Sequence, residues 1–297
     1  MSTLASRSHG TAAPAPSPAP RLTAKFGPTK ITSYLLLGLV ALVFLIPAYW
    51  MVLAAFKPND EIYQWPFTPW PSEPTTENFS AALAAAPFDQ FFMNSLLVTT
   101  IGATVKVALA ALTAYAFAFL PFPGKKWLFL AVLGALMVPG HVTLLLNYST
   151  ISNLGLINTY AGIILPGLGS AFGTFLLRQH FMGLPKEVLE AAELDGAGHL
   201  RKLWSFVLPM SKPAVITVAL IAVIDEWNDF IWPLLVTNTL DMRTMPIGLM
   251  FLKQTEGLDD WGMIMAATLM IVLPMLLLFL VAQKYIINGM AGAAVRR

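Results

Sequence analysis

Few residues in this chain could do chemistry, and most of them stand in apolar surroundings. Asp225, Glu226 and Asp229 lie within the otherwise apolar stretch Pro213–Val236, and Lys106 is the lone charge in Phe91–Leu120. At the centre of a membrane helix each charge costs roughly 2.5–3.5 kcal/mol on insertion scales, so it usually lines an aqueous path or finds a partner. Two readings stay open. The acids could border a translocation path together with Trp227, Asn228 and Lys106, or they could serve structure alone, by pairing with Lys106 or by lying in a helix that begins later than the hydropathy suggests. The four histidines, His9, His141, His180 and His199, show no metal-ligand spacing, and His141 after Pro139-Gly140 reads first as a polar kink feature. Zero cysteines exclude disulfides, thiolate catalysis and Cys-ligated metals. A membrane enzyme would need His, Asp or Ser clustered near one interface, and the acidic cluster has no histidine companion. A G-x-x-x-x-G-K-[ST] phosphate loop is also missing from the sequence, so the chain is not itself an ATPase of that kind.

The elements that must position these groups are apolar helices. Of the 297 residues 57% are hydrophobic and 11% charged, against roughly 25% charged in a soluble domain. Mean hydropathy is +0.68. The net charge of +2 is too small to suggest a nucleic-acid partner. A bilayer core takes roughly 20 apolar residues as helix. Six stretches qualify: 31–56, 91–120, 127–146, 156–177, 213–236 and 262–283. Pro47, Pro139, Pro166 and Pro274 fall inside them and predict kinks. Gly167, Gly169 and Gly173 in the fourth read as close helix packing.

Residues 1–30, with the Ala/Pro tract Thr11–Pro20, read as a basic, disordered tail. The apolar run after it is long enough to span and has no convincing cleavage site, so the tail is expected to be retained. Basic residues set the orientation. Arg7, Arg21, Lys25 and Lys30 in the tail, Lys125 and Lys126, Arg178, Lys186, Arg201, Lys202 and Lys212, and Lys284, Arg296 and Arg297 share one side. The opposite loops hold Lys57, Arg243 and Lys253. The positive-inside rule then puts both termini in the cytoplasm. Residues 57–90, rich in Pro and Trp, and 237–261 become outer loops, and 178–212 the one sizeable cytoplasmic loop.

That loop carries the most specific pattern. Pro185 suits a first turn, Lys186 to Leu194 are good helix formers, and Gly196 and Gly198 stop the helix. A helical pattern resumes from Arg201 to Phe206, and Pro209 marks the approach to the fifth span. The product is a helix, a turn and a second helix lying along the membrane. Glu190 and Glu193 share a face, and Ala191 and Ala192 leave the surface thin enough for another protein to approach.

Glu190-Ala191-Ala192, three residues, Gly196, nine residues, an apolar residue, any residue and Leu208-Pro209 resemble the EAA loop of ABC importer permeases. Phe206 stands where that family usually has Ile, and Asp195-Gly196-Ala197 matches its common DGA. Asn94-Ser95, Ala114-Tyr115-Ala116-Phe117, Pro121-Phe122-Pro123-Gly124, Glu226-Trp227-Asn228, Trp232-Pro233-Leu234 and the ending Asn288–Val295 resemble the carbohydrate branch. Within it the chain is similar to the maltose-type second permease and the glycerol-3-phosphate-type permease. The resemblance covers nearly the whole of residues 31–297.

It implies an all-α membrane protein of six transmembrane helices with the type I ABC importer permease fold and a cytoplasmic EAA coupling helix. It also implies a bacterial inner-membrane subunit that imports a sugar, oligosaccharide or polyol phosphate. The implied partners are a homologous second permease, an ATPase dimer, an extracytoplasmic solute-binding protein and membrane lipid. ATP and Mg would sit on the ATPase, with no cofactor in this chain. By the same resemblance Glu190, Ala191, Ala192, Asp195, Gly196, Leu208 and Pro209 couple to the ATPase, with Glu190 as the charged anchor. Trp227 and Asn228 would suit a sugar, an aromatic face for C–H patches and an amide for hydroxyls. A same-class permease for a non-carbohydrate solute is the nearest alternative. A secondary transporter is a more distant one, since six spans without an evident inverted repeat fit it poorly.

Overall fold

The computed structural model describes residues 28–253 and 260–294, apart from the side chains of 28–31, 253 and 284–294. Nearly all of the expected 1–30 tail, the middle of the 237–261 loop and the side chains of the Asn288–Val295 ending therefore lie outside the described residues. The described chain is helical and has no strand. Its first compact unit ends at Ala48 and consists, where described, of the first part of α1 (Pro28–Phe56). There Leu35, Leu36, Leu39, Phe44 and Ile46 are exposed, as suits a helix whose solvent is lipid.

The second unit starts at Tyr49. After α1 come the short α2 (Asn59–Ile62) and α3 (Glu77–Ala85). Lys57, fully buried, organises the segment between them. Its Nζ donates to Thr68 O at 2.7 Å and Thr68 Oγ1 at 2.8 Å, and lies 3.7 Å from the Glu61 carboxylate. Thr68 Oγ1 and the Ser72 N–H and hydroxyl donate to Glu61. Burial works to raise the Glu61 carboxyl, but these donors and the Lys57 charge together bring it below the usual glutamate value. Hydropathy cannot reveal this network, since it depends on residues that meet only when the segment folds back.

Helix α4 (Phe88–Phe119) is the spine, and each of its thirds enters a different core cluster. Phe88 and Phe91 pack with Ala82, Met245, Leu252 and Ile264; Val98 packs with Ile151, Ile163, Trp232 and Val236; Ala110, Ala114 and Tyr115 pack with Leu177, Phe181, Leu203 and Val218. Its small residues let neighbours come close. A Cβ on Gly173 would lie 3.0 Å from Val218 and 3.2 Å from Ala110, so bulk there would push the three segments apart. Gly167 approaches Glu226, whereas Gly169 has open space. Two cations satisfy the carbonyl end of α4: Arg178 Nε donates to Phe117 O at 3.1 Å and Lys125 Nζ to Leu120 O at 2.9 Å.

The expected spans divide in two. Helices α1, α4 and the later α15 are continuous and long enough to cross a membrane. The others are bent pairs. The expected 127–146 stretch is α5 (Lys125–Ala135), then a 3₁₀ turn at Gly140–Thr143 and α6 (Leu144–Asn153), bent by 95°. Pro139 forces the break, because Pro cannot donate and drives the residue before it out of the α region. The expected 156–177 stretch is α7 (Tyr160–Ile164), a 3₁₀ turn containing Pro166, and α8 (Ala171–Met182), bent by 48°. Ser170 Oγ caps the restart by accepting from Gly173 N at 2.9 Å.

The loop that follows holds α9 (Lys186–Leu194), α10 (His199–Lys202), a π turn at Leu203–Val207 and α11 (Leu208–Met210). It meets α12 (Lys212–Asn228) at 88°. Instead of running through to Val236, α12 stops at Asn228; Asp229 takes extended backbone and α13 (Ile231–Val236) follows. The Asp229 carboxylate accepts from Trp232 N at 3.4 Å, which favours a new helix start there over continuation. Helices α14 (Met245–Lys253) and α15 (Trp261–Ala294) complete the chain. Pro47 and Pro274 stay inside unbroken helices, so of the four prolines expected to kink a span only Pro139 and Pro166 interrupt theirs.

Candidate functional site

The breaks at Pro139, Pro166 and Asp229 surround a cavity of about 690 Å³. Lys106 from α4, His141 and Asn147 from the 3₁₀ turn and α6, Gly167, and Asp225, Glu226, Asn228 and Asp229 around the end of α12 line it. Lys106 Nζ lies 2.5 Å from Glu226 Oε1, with 14% and 9% of the two side chains exposed. Glu226 fits because Gly102 and Gly167 leave room: a Cβ on either would come within 3.1 and 3.4 Å of the carboxylate. Asn228 Nδ2 is turned back onto Ile224 O at 2.9 Å. Trp232, buried, forms one wall, and its Nε1 donates to Gly162 O and Ile163 O at 3.2 and 3.1 Å, fastening α13 to α7. With every acid ionised the lining carries three negative charges against one ammonium. It offers acceptors and amides to a hydroxyl-rich guest and little to an anion.

Trp227 stands elsewhere. It is 2% exposed, its Nε1 donates to Ile271 O at 3.0 Å, and it meets Phe92 edge-on with centroids 5.9 Å apart. The one-residue step from Glu226 turns it about 100° around α12, onto α15 and away from the cavity. It is therefore a packing residue and not part of the lining, which corrects its grouping with Asp225, Glu226 and Asn228.

The second candidate region is the loop. α9 closes in a Schellman turn. Gly196, at φ +75, donates to Glu193 O at 2.9 Å and Ala197 donates to Ala192 O at 2.9 Å. Asp195 is the exposed C-cap, donating its N–H to Ala191 O at 3.0 Å. Ala192 and Ala197, the positions whose apolar side chains such a stop brings together, are only 3% and 7% exposed. Ala191 is exposed. Lys202 Nζ returns to Glu193 Oε2 at 2.7 Å and locks α10 to α9. That hydrogen bond, and then the lysine charge, hold the Glu193 carboxyl below the usual glutamate range.

Leu184, Leu189, Leu203, Val207 and Leu208 join the cluster at the end of α4, and Tyr115 OH meets His199 Nδ1 at 3.2 Å. The loop is thus fixed to the bundle on one face. Leu194 is 90% exposed, Trp204 is 60% exposed beside a groove lined by Thr104 and Ala108 of α4, and Glu190 is exposed at a cavity it shares with Phe119 and His199, with no hydrogen bond or ion pair among the described residues. Pro209 lies in the first turn of α11, exposed, just after the π turn.

Several residues that matter here carry no local signal. His141 and Asn147 read as isolated polar residues, Trp232 as part of a motif, and Lys57–Glu61 as loop charges. Asn94 and Ser95, 0% and 2% exposed, turn out to anchor the segment after α13. Asn94 Nδ2 donates to Asp241 O and Arg243 O at 2.7 and 2.8 Å, and Ser95 Oγ accepts from Met245 N at 2.8 Å. Buried amides and hydroxyls near the start of a long apolar span could have flagged such a tie.

A continuous spine, broken helices around a polar cavity and a helical loop fixed across the end of the bundle are the architecture of a membrane permease. The match with known proteins agrees. Residues 17–292 match the family described as binding-protein-dependent transport system inner membrane component, and the chain belongs to that family. It is 34% identical over 279 residues to the "Probable ABC transporter permease protein YurM" of Bacillus subtilis (strain 168), covering 93% of this chain and 91% of that one. It is 33% identical over 270 residues to the sn-glycerol-3-phosphate transport system permease protein UgpE of Yersinia pestis, covering 89% and 96%. With the arabinooligosaccharides transport system permease protein AraQ of Halalkalibacterium halodurans it shares 31% over 274 residues, covering 90% and 98%. The fold matches a chain of a bacterial ABC transporter involved in the import of the acidic polysaccharide alginate, with a TM-score of 0.79 at 21% identity, over 90% of this chain and 99% of that one. The fold is thus that of an ABC importer permease, and the chain is a transport subunit.

Proposed function

We propose that this chain is one of two permease halves of an ATP-driven bacterial importer for an uncharged, hydroxyl-rich solute, a sugar or oligosaccharide. Both termini and the 178–212 loop face the cytoplasm. An extracytoplasmic binding protein delivers the solute, a second homologous permease completes the pathway, and an ATPase dimer carrying ATP and Mg drives it. No cofactor resides in this chain. Closure of the ATPase dimer moves the loop as a rigid body and switches the spans between inward-facing and outward-facing states.

The observation that carries the reading is the loop: fastened to the bundle through Leu189, Leu203, Val207 and the Tyr115–His199 contact, it leaves Glu190 and Leu194 uncovered for a partner. A surface held rigidly at some residues and bare at others transmits force. Glu190 is the charged anchor, Ala191 permits close approach, and Ala192, Asp195, Gly196, Leu208 and Pro209 give the handle its shape. The cavity supports the choice of solute. Its single lysine is already committed to Glu226, so with every acid ionised a phosphate or carboxylate on the solute would find no free cation in the lining. A polyol phosphate, as the name of the Yersinia pestis relative would suggest, suits this lining less well.

The test is copurification of the ATPase from membranes carrying wild type or Glu190→Ala. Loss of the ATPase with the permease still present in the membrane is expected. Unchanged yield with unchanged uptake would reject the anchor, and cytoplasmic inaccessibility of residues 186–209 would reject the topology.

A further inference from the structure

Two cavities meet at one movable side chain. Beside the 690 Å³ cavity lies a second of about 540 Å³, lined by Ser170, Phe172, Val218 and Ala222 among others. Helix α12 starts at the loop; along it the second cavity takes positions from Val218 to Asp225 and the first from Ile224 onward. Along the fourth, bent span the second cavity takes Gly169 to Phe172, and the first takes Ile163, Pro166 and Gly167. The loop end of that span is its C-terminal end. Both elements therefore place the second cavity on the loop side of the first. Lys106 and Asp225 line both cavities.

The carboxylate of Glu226 is seated between Gly102 and Gly167 and has little room to move. Its partner ammonium ends a flexible four-carbon stem and carries three donors. In this pair the lysine is the mobile half.

We propose that Lys106 is the partition between the two cavities, and that solute passes when its ammonium leaves Glu226 and is received by Asp225. The proposal rests on the permease reading above and adds a residue that controls passage. An exchange of carboxylates keeps the ammonium paired throughout, and the Glu226 carboxylate it leaves behind is met by the solute hydroxyls that enter beside it. Solute hydroxyls compete for the same donors and acceptors, which couples displacement of the lysine to the presence of a guest that can hydrogen-bond. A guest without hydroxyls would leave the partition in place.

This chain has no cysteine, so a single introduced cysteine is the one labelling site it carries and the label is read on this subunit after separating it from its partners. Asn147→Cys reports the first cavity and Phe172→Cys the second, in the assembled transporter in inside-out vesicles exposed to a membrane-impermeant thiol reagent. With Lys106 in place, Phe172→Cys should react and Asn147→Cys should be protected. The neutral pair Lys106→Met with Glu226→Gln, which leaves no unpaired charge between them, should speed reaction at Asn147→Cys on the order of tenfold, while Lys106→Arg keeps it slow. Asp225→Asn, which leaves the observed pair untouched, should retain the protection and lower maximal uptake on the order of tenfold. If the neutral pair fails to assemble, this last variant decides. Equal reactivity of Asn147→Cys with and without the pair, or full uptake in Asp225→Asn, overturns the partition. Should the assembled complex fail to take up any solute, the permease reading falls instead, so the two failures are distinguishable.

Discussion

The loop and the cavity are each fastened by a lysine–glutamate pair, Lys202–Glu193 at 2.7 Å and Lys106–Glu226 at 2.5 Å. Chemically the two are the same. In the loop Lys202 is 9% exposed but Glu193 is 73% exposed, so water and salt reach the carboxylate half and screen the attraction, and the pair steadies an arrangement that the Schellman turn and the apolar cluster already set. In the cavity both side chains are largely covered, and each charge depends on the other. The contrast shows that an ion pair's consequence is set by its surroundings more than by its length. Losing a partner is minor where water can replace it and severe where it cannot.

The sharpest way to break the comparison is Lys106→Met alone. It should lower the stability of the folded subunit by about 3–5 kcal/mol by stranding Glu226, read as a fall in the denaturation midpoint in detergent. The double variant Lys106→Met with Glu226→Met should recover most of it; equal losses in both would mean the pairing is not what matters. Trp232→Phe removes the donor to Gly162 O and Ile163 O and should cost about 1–3 kcal/mol, by the same measurement, because the orphaned carbonyls lie out of reach of water.

On the loop side, Gly196→Ala should cost about 1–2 kcal/mol for forcing a Cβ into the left-handed region. Hydrogen exchange should localise the change to the amides of α9 and leave α4 protected. The smallest effect belongs to Glu193, the exposed half of its pair. Glu193 has a folded carboxyl value below its unfolded one, so its contribution is present above the ordinary glutamate value of 4.5 and is lost as pH falls through the depressed folded value. Its side-chain carboxyl carbon should titrate with a midpoint below 4.5 in wild type and move up in Lys202→Met. An unmoved midpoint would show that the pair does not form in solution.

Much of the loop was legible from sequence because its signals are local. Helix formers from Lys186 to Leu194 and a glycine in the C′ position specify a helix and its stop within a few residues, and α9 ends where Gly196 requires. The cavity was legible only in part. Lys106, Asp225, Glu226, Asn228 and Asp229 announce themselves as polar groups in apolar stretches, but Trp227 beside them faces α15, and His141 and Asn147 arrive from a span that doubles back by 95°.

By itself the sequence determined which stretches are apolar enough to leave water, where basic residues gather, and where one short helix begins and ends, since hydropathy, charge and turn chemistry act over a few residues. Only the tertiary structure decided which face of each span looks inward, which prolines break a helix, and that Lys106 meets Glu226. The physical reason is that lipid and protein interior are both apolar. A span that satisfies either one carries little pattern to tell them apart, and the choice is made by packing between segments far apart in the chain.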